Sequence, residues 1–168
     1  MKKRASLILA ASVFAALCVV AGVAVFASGT HEGSLNTNRD GVAIDGYDPV
    51  AYFTIGEPTE GRSEFFHDWN GGRWYFSSEA HHDLFAAEPE RYAPAYGGYC
   101  AWAVAEGNVA GINPQAWHIE DDRLYLNYSQ RINRRFLGDL DGHLTRADEK
   151  WPGIQARLEA AAGSASSE

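Results

Sequence analysis

Phe65-Phe66-His67-Asp68-Trp69-Asn70-Gly71-Gly72-Arg73-Trp74-Tyr75-Phe76 is the stretch from which the fold can be read. Two aromatic runs flank Asn70-Gly71, and Asn-Gly between such runs is the strongest short-range signal of a β-hairpin. Ser77 or Ser78 follows at once and can cap a helix running to about Ala87, where Glu88-Pro89 ends it. On that helix His81, Leu84 and Phe85 share one face by i+3 and i+4 spacing, predicted to point inward. A hairpin running directly into a helix is thus the unit expected here.

The pattern extends in both directions. Residues 42–44 read as a short strand closed by Asp45-Gly46. A Gly97-Gly98 turn precedes an apolar helix or strand over residues 99–106. Residues 116–120 and 123–128 alternate in polarity around Asp121-Asp122 and read as a second hairpin. From Ser129 the period lengthens: Ile132, Phe136, Leu140 and Leu144, then Ile154 and Leu158, predict two or three helices. No internal repeat is visible. Strands joined by hairpins rather than by crossover helices place the chain in the α+β class. The fold expected is a small domain of two β-hairpins and several short helices, preceded by an apolar N-terminal helix. The aromatic set Tyr47, Tyr52, Trp74, Tyr99, Trp102 and Trp117 is expected to fill the core.

That N-terminal segment has its own logic. Met1-Lys2-Lys3-Arg4 is basic, and the following 23 residues to Ala27 carry no charge. A basic start, an apolar run and small residues near Ala27-Ser28-Gly29 mark a secretory signal. The run also reaches the ~20 residues of a spanning helix, so residues 1–27 read as a signal peptide or a membrane anchor. Either way the remainder is expected outside the cytoplasm, in a periplasm, soluble after cleavage or tethered. Residues 28–38 read as a linker, 39–155 as the domain and 156–168 as a flexible tail. Lys2, Lys3 and Arg4 aside, 11 basic residues face 22 acidic ones, a formal balance of −11. Such a surface excludes nucleic acid as the expected partner, and leaves contact with the membrane to the N-terminal segment.

Cys18 lies in the apolar run, so Cys100 is the lone thiol of the exported part. It cannot form an intramolecular disulfide there. A buried inert thiol, a metal ligand, a reactive group or an intermolecular bridge remain open.

Four segments in order resemble the YHS domain, in its exported single-domain branch. They are residues 45–53 (Asp45-Gly46-Tyr47-Asp48-Pro49 onward), Trp74-Tyr75-Phe76-Ser77-Ser78 with Phe85, Pro89 and Tyr92, Tyr96-Gly97-Gly98-Tyr99-Cys100-Ala101, and Leu124-Tyr125-Leu126-Asn127-Tyr128-Ser129. The resemblance covers about residues 39–155 and implies a small α+β domain. A metal-binding branch of that family carries two cysteines at positions that fall on Ser77 and His81. This chain departs from that pattern, so the site is not carried over intact.

The soft and borderline donors are Cys100, His81, His118, His82 and His67. Thiolate with imidazole suits copper or zinc, and the metal set expected is Cys100, His81 and His118. Each has a plainer reading: His81 as a hydrogen-bonded core histidine, His118 as surface or packing, Cys100 as a small hydrophobe. Phosphate-cradling, dinucleotide and metallohydrolase motifs are absent. Three functions therefore follow. The leading one is a non-enzymatic exported binding domain, for a soft metal such as copper. The others are an interaction or envelope module with a buried structural cysteine, and a cysteine-dependent redox enzyme.

Overall fold

Asn70 and Gly71 take φ of 51° and 78°, the left-handed pair that a two-residue hairpin turn demands. They join β1 (Arg62–Trp69) to β2 (Gly72–Phe76) in antiparallel register, with a bulge between Arg62 and Phe66. The computed structural model describes residues 34–165; the apolar segment, its export or anchoring role and Cys18 lie outside them. Ser78 caps α2 (Glu79–Ala87), its hydroxyl accepting the His81 N–H. Two short helices, α1 (Ala51–Thr54) and α3 (Pro89–Tyr92), flank this unit. The same plan follows: α4 (Ala101–Ala105), then β3 (Asn113–Glu120), β4 (Arg123–Asn127) and α5 (Gln130–Leu137) capped by Ser129. A long helix, α6 (Leu140–Ala165), closes the chain. The described residues thus form an α+β fold with two separate two-stranded antiparallel sheets.

One expectation is overturned outright, because the domain is an internal repeat. The hairpins share register, bulge and turn at a constant offset of 51: Phe66 pairs with Tyr75 as Trp117 pairs with Leu126. Each unit opens on a left-handed 3₁₀ turn, Ile44–Gly46 in one and Tyr96–Gly98 in the other, with an offset of 52. Backbone bonds repeat in step. Asp48 N–H donates to Thr59 O (2.9 Å) as Cys100 N–H donates to Ala110 O (3.0 Å). Ala43 N–H donates to Arg73 O as Ala95 N–H donates to Leu124 O, both at 2.8 Å. Little of this shows in the side chains. Gly46 and Gly98, Tyr47 and Tyr99, Ser78 and Ser129, Phe85 and Phe136 match, while most equivalent positions differ.

Two large packed clusters hold the fold, with a small third one of Cys100, Ala103 and Ile132. Trp74, Phe76 and Phe85 of the first unit join Ile44, Val50, Tyr52 and, from β4, Leu124 and Leu126. Val104, Tyr125, Phe136, Ala147 and Ile154 form the second, between α4, α5 and α6. Each fully buried large side chain of this kind contributes about 1.5–3 kcal/mol by leaving water.

Local expectations shift accordingly. Residues 42–44 make only isolated bridges, Val42 to Arg73 and Ala43 to Thr37, because Ile44 already turns into the left-handed region. Residues 34–38 lie on the domain rather than linking to it, with Leu35 buried in the first cluster. Leu84 faces outward at 41% exposure, and only His81 and Phe85 of the predicted face turn in. Helix α6 runs through the predicted tail to Ala165, since its alanines favour helix and Ile154 and Leu158 anchor it to α4. Among the described residues no helix is long and apolar enough to cross a membrane.

Candidate functional site

The two units place different chemistry at the same point, where the short helix meets the end of the hairpin. In the first unit that point is Asp48, fully buried. Its Oδ1 accepts the N–H groups of Val50 (2.9 Å) and Ala51 (3.3 Å), which opens α1. Its Oδ2 accepts the Ser77 N–H at 2.8 Å, the Ser77 hydroxyl at 2.6 Å and His81 Nδ1–H at 2.6 Å. A carboxylate only accepts, so the proton on this ring sits on Nδ1. Nε2 faces the Thr54 hydroxyl at 3.0 Å, and Thr54 Oγ1 also reaches Val50 O at 3.1 Å.

Hydroxyl, imidazole and carboxylate here follow the order of a nucleophile relay. The surroundings do not support one. Thr54 is bonded back to its own helix, and the neighbouring N–H groups of Ile55 and Gly56 both donate to Ala51 O. They cannot then serve as an oxyanion donor pair. What the cluster does is brace α1 against the start of α2.

In the second unit the equivalent of Asp48 is Cys100, 1% exposed at the start of α4. Its sulfur accepts the Tyr128 N–H at 3.3 Å, as Asp48 accepts that of Ser77, and its S–H reaches Asn127 Oδ1 at 3.5 Å. Buried Asn127 also accepts the Trp102 N–H (3.1 Å) and donates to Asn133 Oδ1 (2.9 Å). Asn133 in turn donates to Trp117 O (3.1 Å), so β3, β4, α4 and α5 are tied together. Burial pushes the thiol pKa above its ordinary value, although the bonds from backbone N–H groups pull the other way. A neutral, enclosed thiol is a poor nucleophile and a poor ligand.

Where His81 stands in the first unit, Ile132 stands in the second. The polar bridge from α1 to α2 is therefore missing, and a cavity of about 190 Å³ opens beside Cys100. Trp102, Ala103, Ala110, Tyr128 and Ile132 complete its lining. Tyr128 is 61% exposed at its rim.

The three metal ligands expected from sequence are not brought together. Cys100 sits among apolar groups with Asn127, and His81 belongs to the Asp48 cluster. His118 Nε2 pairs with Glu120 Oε2 at 3.0 Å on the partly exposed face of β3. His67 and His82 do meet, ring to ring at 5.7 Å, but His82 Nδ1 is taken by Asp83. No group of three or more His, Cys, Asp or Glu side chains suited to an ion occurs among the described residues. Sequence reasoning gave no role to Asp48 and Asn127, which it met only inside the segments of the resemblance, and passed over Asn133. A signal existed for Asp48, since Asp just ahead of a helix start is a capping residue; Asn127 and Asn133 carry no comparable mark. No family model, no curated protein and no solved structure matches this chain.

Proposed function

We propose that this chain is a non-enzymatic, exported binding domain of the YHS kind, with its ligand seat in the apolar pocket beside Cys100. The observation that carries this reading is the pocket itself. Its lining is apolar, it opens on exposed Tyr128, and it lies where the first unit is closed by the His81 and Thr54 bridge. At about 190 Å³ it falls short of the ~300–1,000 Å³ of drug-sized sites. Its ligand is accordingly a small apolar molecule or one apolar side chain of a partner. Cys100 supplies floor and framework rather than reactivity. The soft-metal reading, copper or zinc on Cys100, His81 and His118, fits less well because those donors occupy three separate surroundings.

Titration of the full chain with indole and with toluene, followed by amide chemical shifts, tests this. Saturable shifts confined to residues 100–110 and 128–132, abolished by Ala110→Phe, are expected. Equimolar uptake of copper(I) or zinc that disappears in Cys100→Ser would instead establish the metal reading. If neither probe shifts those residues, the pocket is not a ligand seat.

A further inference from the structure

Charge on α5 separates the two units as clearly as the pocket does. Arg131, Arg134 and Arg135 all lie exposed on this helix, in an otherwise acidic chain. Elsewhere Arg62, Arg73, Arg91, Arg123 and Arg146 each meet a carboxylate. None of the three on α5 forms an ion pair among the described residues. Arg131 and Arg135 stand one turn apart on a single stripe, where like charges repel and weaken a helix. Nothing within the fold offsets that repulsion; a bound anion would.

Arg135 is tied to the pocket directly. Its guanidinium lies 5.6 Å from the ring centre of Trp102, and Trp102 lines the pocket beside Cys100. Ile132, one turn before Arg135, lines it too, and Tyr128 stands at its exposed rim. The interior is apolar, and its lining carries no carboxylate. Fixed positive charge and apolar space therefore meet at one mouth.

The first unit is an internal control. At the offset of 51 that relates Ser78 to Ser129, Ala80 and Leu84 take the places of Arg131 and Arg135, and Asp83 that of Arg134. Val50, fully buried, stands where Trp102 does, and the His81 and Thr54 contact closes the space. The unit without the opening is also the unit without guanidiniums.

We propose that the ligand of this pocket, whose role as a seat the inference rests on, is a small carboxylate. Its apolar body enters beside Cys100, and its carboxylate stays at the mouth on Arg135 and Arg131. A guanidinium suits that group because it offers two parallel N–H donors to the two oxygens. The cavity of about 190 Å³ suits a six-membered ring or a branched chain of similar size. A dry apolar cavity of about 150 Å³ already admits benzene.

The test titrates the full chain with benzoate, toluene and benzylammonium, three probes with one ring and different charge, and follows amide shifts. Benzoate should bind about tenfold more tightly than toluene at low salt and lose that advantage as salt rises. Benzylammonium should bind no better than toluene. The double variant Arg131→Gln, Arg135→Gln should bring benzoate down to the affinity of toluene. Gln keeps the helix propensity of these exposed positions, and unchanged toluene binding shows that the pocket is intact. Toluene binding with benzoate no tighter overturns the carboxylate and leaves the seat standing. A benzoate preference that survives in the double variant overturns it equally. If none of the three binds, the seat and its ligand fail together.

Discussion

Asp48 and Cys100 do one job with different atoms: each accepts an N–H from the hairpin's end and starts a short helix. The carboxylate carries five donors and the sulfur carries fewer, so the two positions should differ in what their loss costs. Asp48→Ala leaves the partly buried His81 imidazole and buried backbone donors without their acceptor, and a loss of about 3–5 kcal/mol is expected in urea unfolding. Cys100 should resist alkylation in the native chain and react fully in denaturant, the reaction being followed by mass. Its raised pKa also fixes a sign. Above about pH 9 the unfolded thiol ionises while the folded one does not, so stability falls as pH rises. Cys100→Ala should flatten that decline until half-buried Tyr99 and buried Tyr125, also raised, add theirs at higher pH. His67 behaves in the opposite sense. Burial and then the neighbouring His82 lower its pKa, with Asp68 opposing. The unfolded chain therefore takes up this proton first as pH drops below about 6.5, and folding stability should fall there. Melting temperatures of native and His67→Asn chains between pH 7.5 and 5.5 check it.

Elements with local signals were legible before any contact was known. Asn70-Gly71 specified the first turn because few residues accept left-handed φ at both positions. A helix start was legible at Ser77 or Ser78, and Ser78 takes it; from Ser129 only the helical period was legible, and its hydroxyl proves to satisfy an orphan N–H in the same way. Since the two caps are equivalent in the repeat, Ser78→Ala and Ser129→Ala should each cost about 1 kcal/mol. Their effects should add within about 0.5 kcal/mol in the double variant, as for distant sites, on chemical denaturation. What failed at this scale was side-chain direction. Leu84 shares the spacing of His81 and Phe85, yet α2 is short and only Phe85 reaches the aromatic cluster with Trp74 and Phe76. The short strand expected at residues 42–44 failed similarly, because Ile44, Asp45 and Gly46 all take left-handed φ, a turn that β-propensity does not register.

At the scale of the molecule, the second unit is completed by α6, which has no full counterpart in the first. Trp151 on this helix covers Tyr96 and Tyr99, and Lys150 Nζ donates to Ala105 O at 2.6 Å. Trp151→Ala should destabilise the whole domain by about 2 kcal/mol, less than a fully enclosed tryptophan because part of the ring meets solvent. It should also increase amide exchange at residues 96–99 ahead of residues 44–47. Two copies of one framework leave two openings at non-equivalent places, an apolar one in the second unit and an acidic one in the first.

Local pattern was enough for the α+β class, both hairpin turns, a helix start at Ser77 or Ser78, helices after Ser129 and the acidic balance of charge. These depend on backbone preferences and charge, which act within a few residues or need no neighbours. That the domain is a repeat, that Asp48 and Cys100 are equivalent, and that Cys100, His81 and His118 stand apart emerged from the folded contacts. Those facts rest on contacts between residues tens of positions distant, such as Asp48 with His81 and Cys100 with Tyr128. The repeat survives in backbone geometry while its side chains have diverged, because a hairpin, a cap and a left-handed turn accept many sequences. A constant offset of 51 between two sets of hydrogen bonds is visible only once the bonds are formed.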